Sequence, residues 1–357
     1  MNPTDISTEH GAHTLSEILS QPQCWSTCLQ KLASTAELQA AVKMARPGAE
    51  WIFVGCGTSY YLAIAAASAF NHVGLSARAV PASEILLYPA LALPPGRDYL
   101  PIMISRSGRT SEVVRAARLL EQERNIRTIA ITCANRQPLE AECSLTLKLL
   151  DADEQSTVMT RSFTSMLLGL QYLAAKVAGE DLAHSLTKLP EETAPLLEEI
   201  PQRLRAFVEA RSFEDCIFLA QGPLFGIASE CMLKVTESSC TYTQVFHSLE
   251  FRHGPKSVAG PETLITFLMS ETSYNAELDL LEEMKKTGAA TLVIGNRLDA
   301  RSWSAADFAI ELGLTVAEYA RPAAYTIWGQ LYGLYNGLKK GLNPDSPKNL
   351  TRVVVLE

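Results

Sequence analysis

No apolar stretch in this 357-residue chain reaches the ~18–20 residues that a membrane span needs. Residues 1–14 are polar and include His10 and His13, unlike a secretory leader. Positive charge is also scarce. Lys and Arg number 31 against 39 Asp and Glu, giving a net charge of −8. That balance argues against a nucleic-acid or membrane-surface partner, which needs a broad basic face. Eight cysteines are present, but they form no framework. Cys24 and Cys28 have C-x3-C spacing with no matching pair downstream, so a zinc site is not expected. The other thiols sit largely in apolar runs, as small buried hydrophobes of a reduced, cytoplasmic protein. No ligand cluster suggests a metal or an organic cofactor.

What remains is ordinary globular material: 47% hydrophobic and 20% charged residues, enough for two cores. Short apolar runs alternate with longer stretches of helical period. In the first half, strands are expected at 51–54, 100–104, 128–132 and 145–149, with helices over 61–70 and 111–123. The second half repeats the pattern, with strands at 216–220, 264–269 and 291–294 and helices from about Ile227 and over 276–287. Such alternation predicts an α/β fold with parallel sheets covered on both faces. "IFVGCGTSYYLAIAAASAF" and "IFLAQGPLFGIASECML" share the order strand, glycine turn, small-residue helix, which suggests an internal duplication. The expected division is an N-terminal helical segment 1–48, a first domain 49–181, a helical linker 182–207, a second domain 208–340 and a tail 341–357.

Ligands of open parallel sheets bind at the carboxyl ends of strands, where helix N-termini present free amides. Two hydroxyl-bearing loops of the first half hold that position: Gly57-Thr58-Ser59, and Ser105 to Thr110 with Ser107 and Gly108 between. Arg106 adds a cation suited to a charge-assisted contact. A dinucleotide loop would need a third glycine where Tyr60 stands, and a Walker A loop would need Gly-Lys-Ser/Thr. One serine alone would be read as an N-cap; two such loops on successive strands point to a phosphate cradle. The polar run Gln155 to Thr164, with Thr157 and Thr160, reads as a third wall.

The second half carries acid–base chemistry. Glu230, Lys234 and Glu237 fall at i, i+4 and i+7 on one helical face. A solvated stripe is the plain alternative, but the surrounding Met, Leu, Val and Cys are too apolar for an exposed helix. Glu250-Phe251-Arg252-His253-Gly254-Pro255 then places a histidine, the usual proton shuttle near neutral pH, in a shaped loop.

Six motifs together give the chain a family likeness: Gly55-Cys56-Gly57-Thr58-Ser59, Ser105-x-Ser107-Gly108-x-Thr110, Thr160-x-x-Phe163-Thr164, the helix Glu230 to Glu237, Glu250-x-x-His253-Gly254-Pro255 and Asp345-Ser346-Pro347-Lys348-Asn349-Leu350. The sequence resembles the sugar isomerase (SIS) superfamily, in particular the isomerase half of glucosamine-6-phosphate synthase and its free-standing relatives, from about Glu17 to Glu357. The resemblance implies two tandem flavodoxin-like SIS domains. It implies that Ser59, Ser105, Ser107 and Thr110 bind the sugar phosphate and that Glu237 moves the proton between C1 and C2. His253 would assist ring opening, reaching the partner's site in a homodimer, and Lys234 would orient nearby oxygens.

Departures from the family bear on specificity. Arg106 and Arg109 replace the usual Gln and Glu of the serine loop, and Met159 stands where the synthase has serine. Arg352 replaces the tail lysine, and an arginine forms no Schiff base. Position 2 is Asn rather than the nucleophilic cysteine of a glutaminase, so glutamine-dependent synthesis is not expected. The leading expectation is isomerising deamination of glucosamine 6-phosphate. A fructosamine-phosphate deglycase or a galactosamine- or tagatose-phosphate isomerase is the alternative, and a non-catalytic sugar-phosphate sensor the third reading.

Overall fold

The computed structural model describes residues 10–180 and 182–356. Asn2 with the rest of 1–9, and the last tail residue Glu357, lie outside the described residues. The chain forms two compact units. One comprises Ser20–Glu154, Met159–Pro190 and the residues from Thr351 on; the other comprises the residues up to Leu19, Gln155–Val158 and Glu191–Leu350.

The first unit is built on strands β1 (Glu50–Gly55), β2 (Ala77–Pro81), β3 (Tyr99–Ile104), β4 (Ile129–Thr132) and β5 (Leu145–Lys148). They lie in the order β2-β1-β3-β4-β5, every pairing parallel. The second is built on β6 (Asp215–Ala220), β7 (Tyr242–His247), β8 (Thr263–Met269), β9 (Ala290–Gly295) and β10 (Phe308–Glu311), in the order β7-β6-β8-β9-β10 and again parallel. Counted along the chain, both orders read 2-1-3-4-5, the flavodoxin-like winding whose ligand crevice falls between its first and third strands. The expected α/β class with two flavodoxin-like sheets is what the chain adopts.

Seven strands follow from apolar runs: the six interior ones, which helices on both faces leave no polar side, and the edge strand β5. All six residues of β3 and all seven of β8 are buried. The other three strands, β2, β7 and β10, were not expected, and all three are sheet edges. Tyr-Thr-Gln-Val-Phe-His in β7 is half-buried or exposed throughout, so it lacks the continuous apolar signature. The expected linker resolves into two helices, Leu182–Thr193 and Leu196–Ala210.

One helix that the sequence reading passed over positions the candidate chemistry. Pro322–Lys339 packs along Phe225–Ser239, which carries Glu230, Lys234 and Glu237. Gly329, Gly333 and Gly337, at i, i+4 and i+8, form the contact face. An added Cβ would lie 2.3 Å from Cys231 Sγ, 2.9 Å from the Lys234 carbonyl oxygen and 2.2 Å from the Ser238 carbonyl oxygen, respectively. The helices therefore meet nearly backbone to backbone, which holds Lys234 in place. Gly333→Ala gains helix propensity worth up to ~1 kcal/mol but drives a methyl into backbone that cannot yield. A net destabilisation of ~1–3 kcal/mol is expected. Denaturant unfolding checks it, and wild-type stability would refute the close-contact account.

Candidate active site

In the first unit, both hydroxyl loops stand at the carboxyl ends of the adjacent strands β1 and β3. β1 ends at Gly55, whose missing side chain is required: a Cβ there would sit 2.5 Å from the Ser59 carbonyl. Gly57 turns with φ +55°, and the helix Thr58–His72 begins at once, with Thr58 and Ser59 buried in its first turn. Ser59 Oγ faces Met159 Sδ at 3.9 Å. Burial pushes the Cys56 thiol up to about 11, with nearby Glu112 adding to the effect, so this loop cysteine is protonated at neutral pH and is no nucleophile.

After β3, Ser105 is buried, and its Oγ lies 3.1 Å from Thr110 Oγ1 and accepts from the Gly108 amide at 3.1 Å. Ser107 Oγ accepts from the Arg109 amide at 3.2 Å. Gly108 has φ +63°, and a Cβ would meet Gln137 Cβ at 2.7 Å. Among the described residues no carboxylate accepts from the hydroxyls of Ser105, Ser107 or Thr110. This is a loop of amides and hydroxyls with no anion of its own in it.

Arg106 does not extend into solvent from this loop. It is 5% exposed, and its guanidinium donates to Glu154 Oε2 at 3.3 Å and to the Arg352 carbonyl at 3.0 Å. Glu154 is itself buried and caps the helix Arg161–Ala178. Its Oε1 accepts from the Thr160 amide at 2.6 Å, the Thr160 hydroxyl at 2.7 Å and the Ser162 amide at 3.3 Å. The Ser162 hydroxyl donates to Oε2. A carboxylate at a helix N-terminus meets both the dipole and the unpaired amides. The Thr160 hydroxyl, expected to face a ligand, donates here to Glu154.

The tail joins the same network. Alternate carbonyls of the tail accept from Arg106 (Arg352 O), from the Ser111 amide (Val354 O, 3.3 Å) and from Arg115 (Leu356 O, 3.1 Å). Arg352's own side chain is exposed and reaches Asp153 at 2.6 Å. The predicted run Gln155 to Thr164 divides at Met159. Gln155–Val158 belongs to the second unit, where Glu17, buried in the first helix, accepts from the amides of Gln155 and Ser156 and from the Ser156 hydroxyl, and where the Thr157 amide donates to the Asp345 carbonyl at 3.0 Å. Thr157 is thus held in a different unit from the cradle residues.

The second unit carries the acid–base residues. Glu230 and Lys234 are fully buried on Phe225–Ser239, so the solvated-stripe alternative does not hold. The Lys234 ammonium lies 3.4 Å from Glu230 and hydrogen-bonds Glu237, whose side chain is 19% exposed. A buried cation therefore fixes a carboxylate that still reaches solvent. His253 is exposed at the end of the turn Glu250–Arg252, and its amide donates to the Glu250 carbonyl at 2.9 Å. Arg252 and Lys256, on either side, both bond Glu283, at 3.0 and 2.6 Å, so the loop is clamped while the imidazole stays open.

Two features were not picked out from the sequence. Glu154 stands just before the polar run Gln155 to Thr164, and the four hydroxyl-bearing residues within eight positions after it are the available signal. Glu277, on the helix Tyr274–Lys285, is 1% exposed and accepts from Ser248, Ser270 and Ser273. Burial pushes its carboxyl above the usual range, against the pull of those hydrogen bonds. A cavity of about 430 Å³ lined by Arg211, Lys285 and Asp307 lies at the amino ends of the second sheet's strands, the end away from ligand-binding crevices. Asp307 pairs with both cations there.

The SIS domain family matches residues 49–176, the stretch that holds the whole first sheet and both hydroxyl loops. Over 96% of its length the chain is 27% identical to a glutamine–fructose-6-phosphate aminotransferase (isomerizing) of Pyrobaculum aerophilum, but it spans only 57% of that protein. It is 29% identical to the D-galactosamine-6-phosphate deaminase AgaS of a Shewanella species, covering 95% of this chain and 89% of the relative. Among solved structures, a glucosamine-6-phosphate deaminase from Thermotoga maritima superposes with a TM-score of 0.78 at 29% identity, covering 97% of this chain and all of that one.

Removing the Glu154 charge leaves the Arg106 guanidinium buried without its counter-charge. Glu154→Gln is expected to cost ~3–5 kcal/mol of stability, and Arg106→Met in the same chain to restore part of it. Thermal unfolding of both single variants and the double one measures this coupling, and strict additivity would rule the pair out as a unit.

Proposed function

We propose that this chain, an enzyme of the isomerase and deaminase kind carrying a SIS domain at residues 49–176, is an isomerising deaminase of a hexosamine 6-phosphate. Two observations carry this reading: a loop after β3 whose Ser105, Ser107 and Thr110 hydroxyls give no bond to a carboxylate, and, in the other unit, a partly exposed carboxylate, Glu237, fixed by a buried lysine. The phosphate would sit on Ser59, Ser105, Ser107 and Thr110 with Gly57 and Thr58 beside them, where amides and hydroxyls suit a dianion. Arg106 would act from behind the loop, through its bond to Glu154.

The reaction balances without an added oxidant or reductant. His253 assists opening of the pyranose to the free aldehyde. Glu237 takes the C2 proton and returns it to C1, so the carbonyl function moves to C2 as an imine. Water then adds to C2 and ammonia leaves, giving the 2-ketose 6-phosphate. Lys234 keeps the Glu237 carboxylate oriented through both proton transfers. Arg352 takes no covalent part, since a guanidinium forms no imine under these conditions. His253, exposed on its clamped loop, would act in the site of the second copy in a homodimer.

Glucosamine 6-phosphate is the first substrate to test. Galactosamine 6-phosphate is the second reading, favoured by the nearly full-length likeness to a deaminase named for that sugar. Purified protein is expected to release ammonia and ketose 6-phosphate in equal amounts from one of the two: fructose 6-phosphate from the first or tagatose 6-phosphate from the second. Glu237→Gln should lower turnover ~10²–10⁴-fold while the affinity for fructose 6-phosphate stays within about threefold of wild type. Full turnover in that variant removes Glu237 as the base; no ammonia release from either sugar removes deamination.

A further inference from the structure

The two sheets share one winding, so the loop after β8 is the counterpart of the loop after β3. Ser270 directly follows the last residue of β8, as Ser105 directly follows the last residue of β3. In the first loop the hydroxyls bond one another and their own amides. In the second, the donors converge on a carboxylate. Glu277 Oε1 accepts from Ser248 Oγ at 2.7 Å, and Oε2 accepts from the Ser270 amide at 3.0 Å and from Ser273 Oγ at 3.0 Å, with Ser270 Oγ at 3.5 Å. Ser248 directly follows β7, so the donors come from the carboxyl ends of two strands and from the start of the helix Tyr274–Lys285.

This donor set, backbone amide and serine hydroxyls at strand ends, has the chemistry of a phosphate cradle. It is closed: Glu277 is 1% exposed and enters from the first turn of its own helix. We infer that the cradle of the second sheet is an oxyanion pocket filled by the chain's own Glu277 carboxylate, and so closed to a second phosphate group. The contrast between the sheets rests on the phosphate reading of Ser105 and Ser107; the filled pocket itself does not.

The inference has two separable tests. Calorimetric titration of the wild-type chain with fructose 6-phosphate is expected to give one site per chain, and two sites would overturn it. Glu277→Ala leaves an anion-sized hole lined with donors. Formate or inorganic phosphate at saturation should raise its melting temperature by about 3 °C or more beyond the shift of wild type in the same salt, with chloride at equal ionic strength as control. Glu277→Gln, which fills the hole, should show no such excess. The rescue should persist when Ser105→Ala is added, which separates it from the first cradle. A Glu277→Ala chain indifferent to both anions overturns the inference. If that variant does not fold, the wild-type site number decides. If wild type binds no sugar phosphate at all, the substrate reading fails and the anion rescue alone decides the filled pocket.

Discussion

The buried ion pair between Arg106 and Glu154 is the constraint on which the first cradle depends. Both side chains are almost out of water, at 4% and 0% exposure, so neither charge is tolerable without the other. Through it the loop after β3 is tied to the start of the helix Arg161–Ala178 and to the tail carbonyl of Arg352. Three segments far apart in sequence thereby settle into one arrangement. The hydroxyls of Ser105, Ser107 and Thr110 in that loop give no bond to a carboxylate, while Arg106 anchors the loop to Glu154.

An arginine inside a serine loop reads as a phosphate contact, and the sequence gives no sign that the same guanidinium also meets a buried carboxylate, as Arg106 does with Glu154. Glu154 stands 48 residues on, and only the hydroxyl-rich stretch that follows it hints at its burial. Met159 is the substitution with a direct bearing on the cradle. Its thioether faces Ser59, so the hydroxyl there has a weak sulfur partner rather than a second hydroxyl.

Much of the fold was legible because interior parallel strands must be apolar on both faces, and those six runs stand out, with the edge strand β5 found beside them. The three unpredicted strands are edges, where one side meets solvent and Arg78, Gln244 or Glu311 is admissible. The glycine stripe at 329, 333 and 337 was equally hidden. A helical glycine read alone signals weakness; only the neighbouring helix, whose atoms an added Cβ would meet at 2.2–2.9 Å, turns it into a requirement. The Glu230, Lys234 and Glu237 face was found by period, and its apolar surroundings correctly excluded a solvated stripe. The polar run Gln155 to Thr164, continuous in sequence, is divided at Met159 between two units, with Thr160 in the unit of the first sheet and Thr157 in the other.

The two halves show how one winding supports unequal chemistry. Both sheets end their central strands in serine-bearing loops, as the 2-1-3-4-5 order allows. The first loop runs six residues from Ser105 to Thr110 before its helix, long enough to curl back on its own amides; the second runs four, Ser270 to Ser273. The shorter loop starts its helix sooner and so places Glu277, one turn in, among the hydroxyls. Loop length and one carboxylate are sufficient to leave one cradle anion-free and fill the other. The second sheet then keeps the helix and the loop that hold Glu237 and His253, on a scaffold whose own crevice is already occupied.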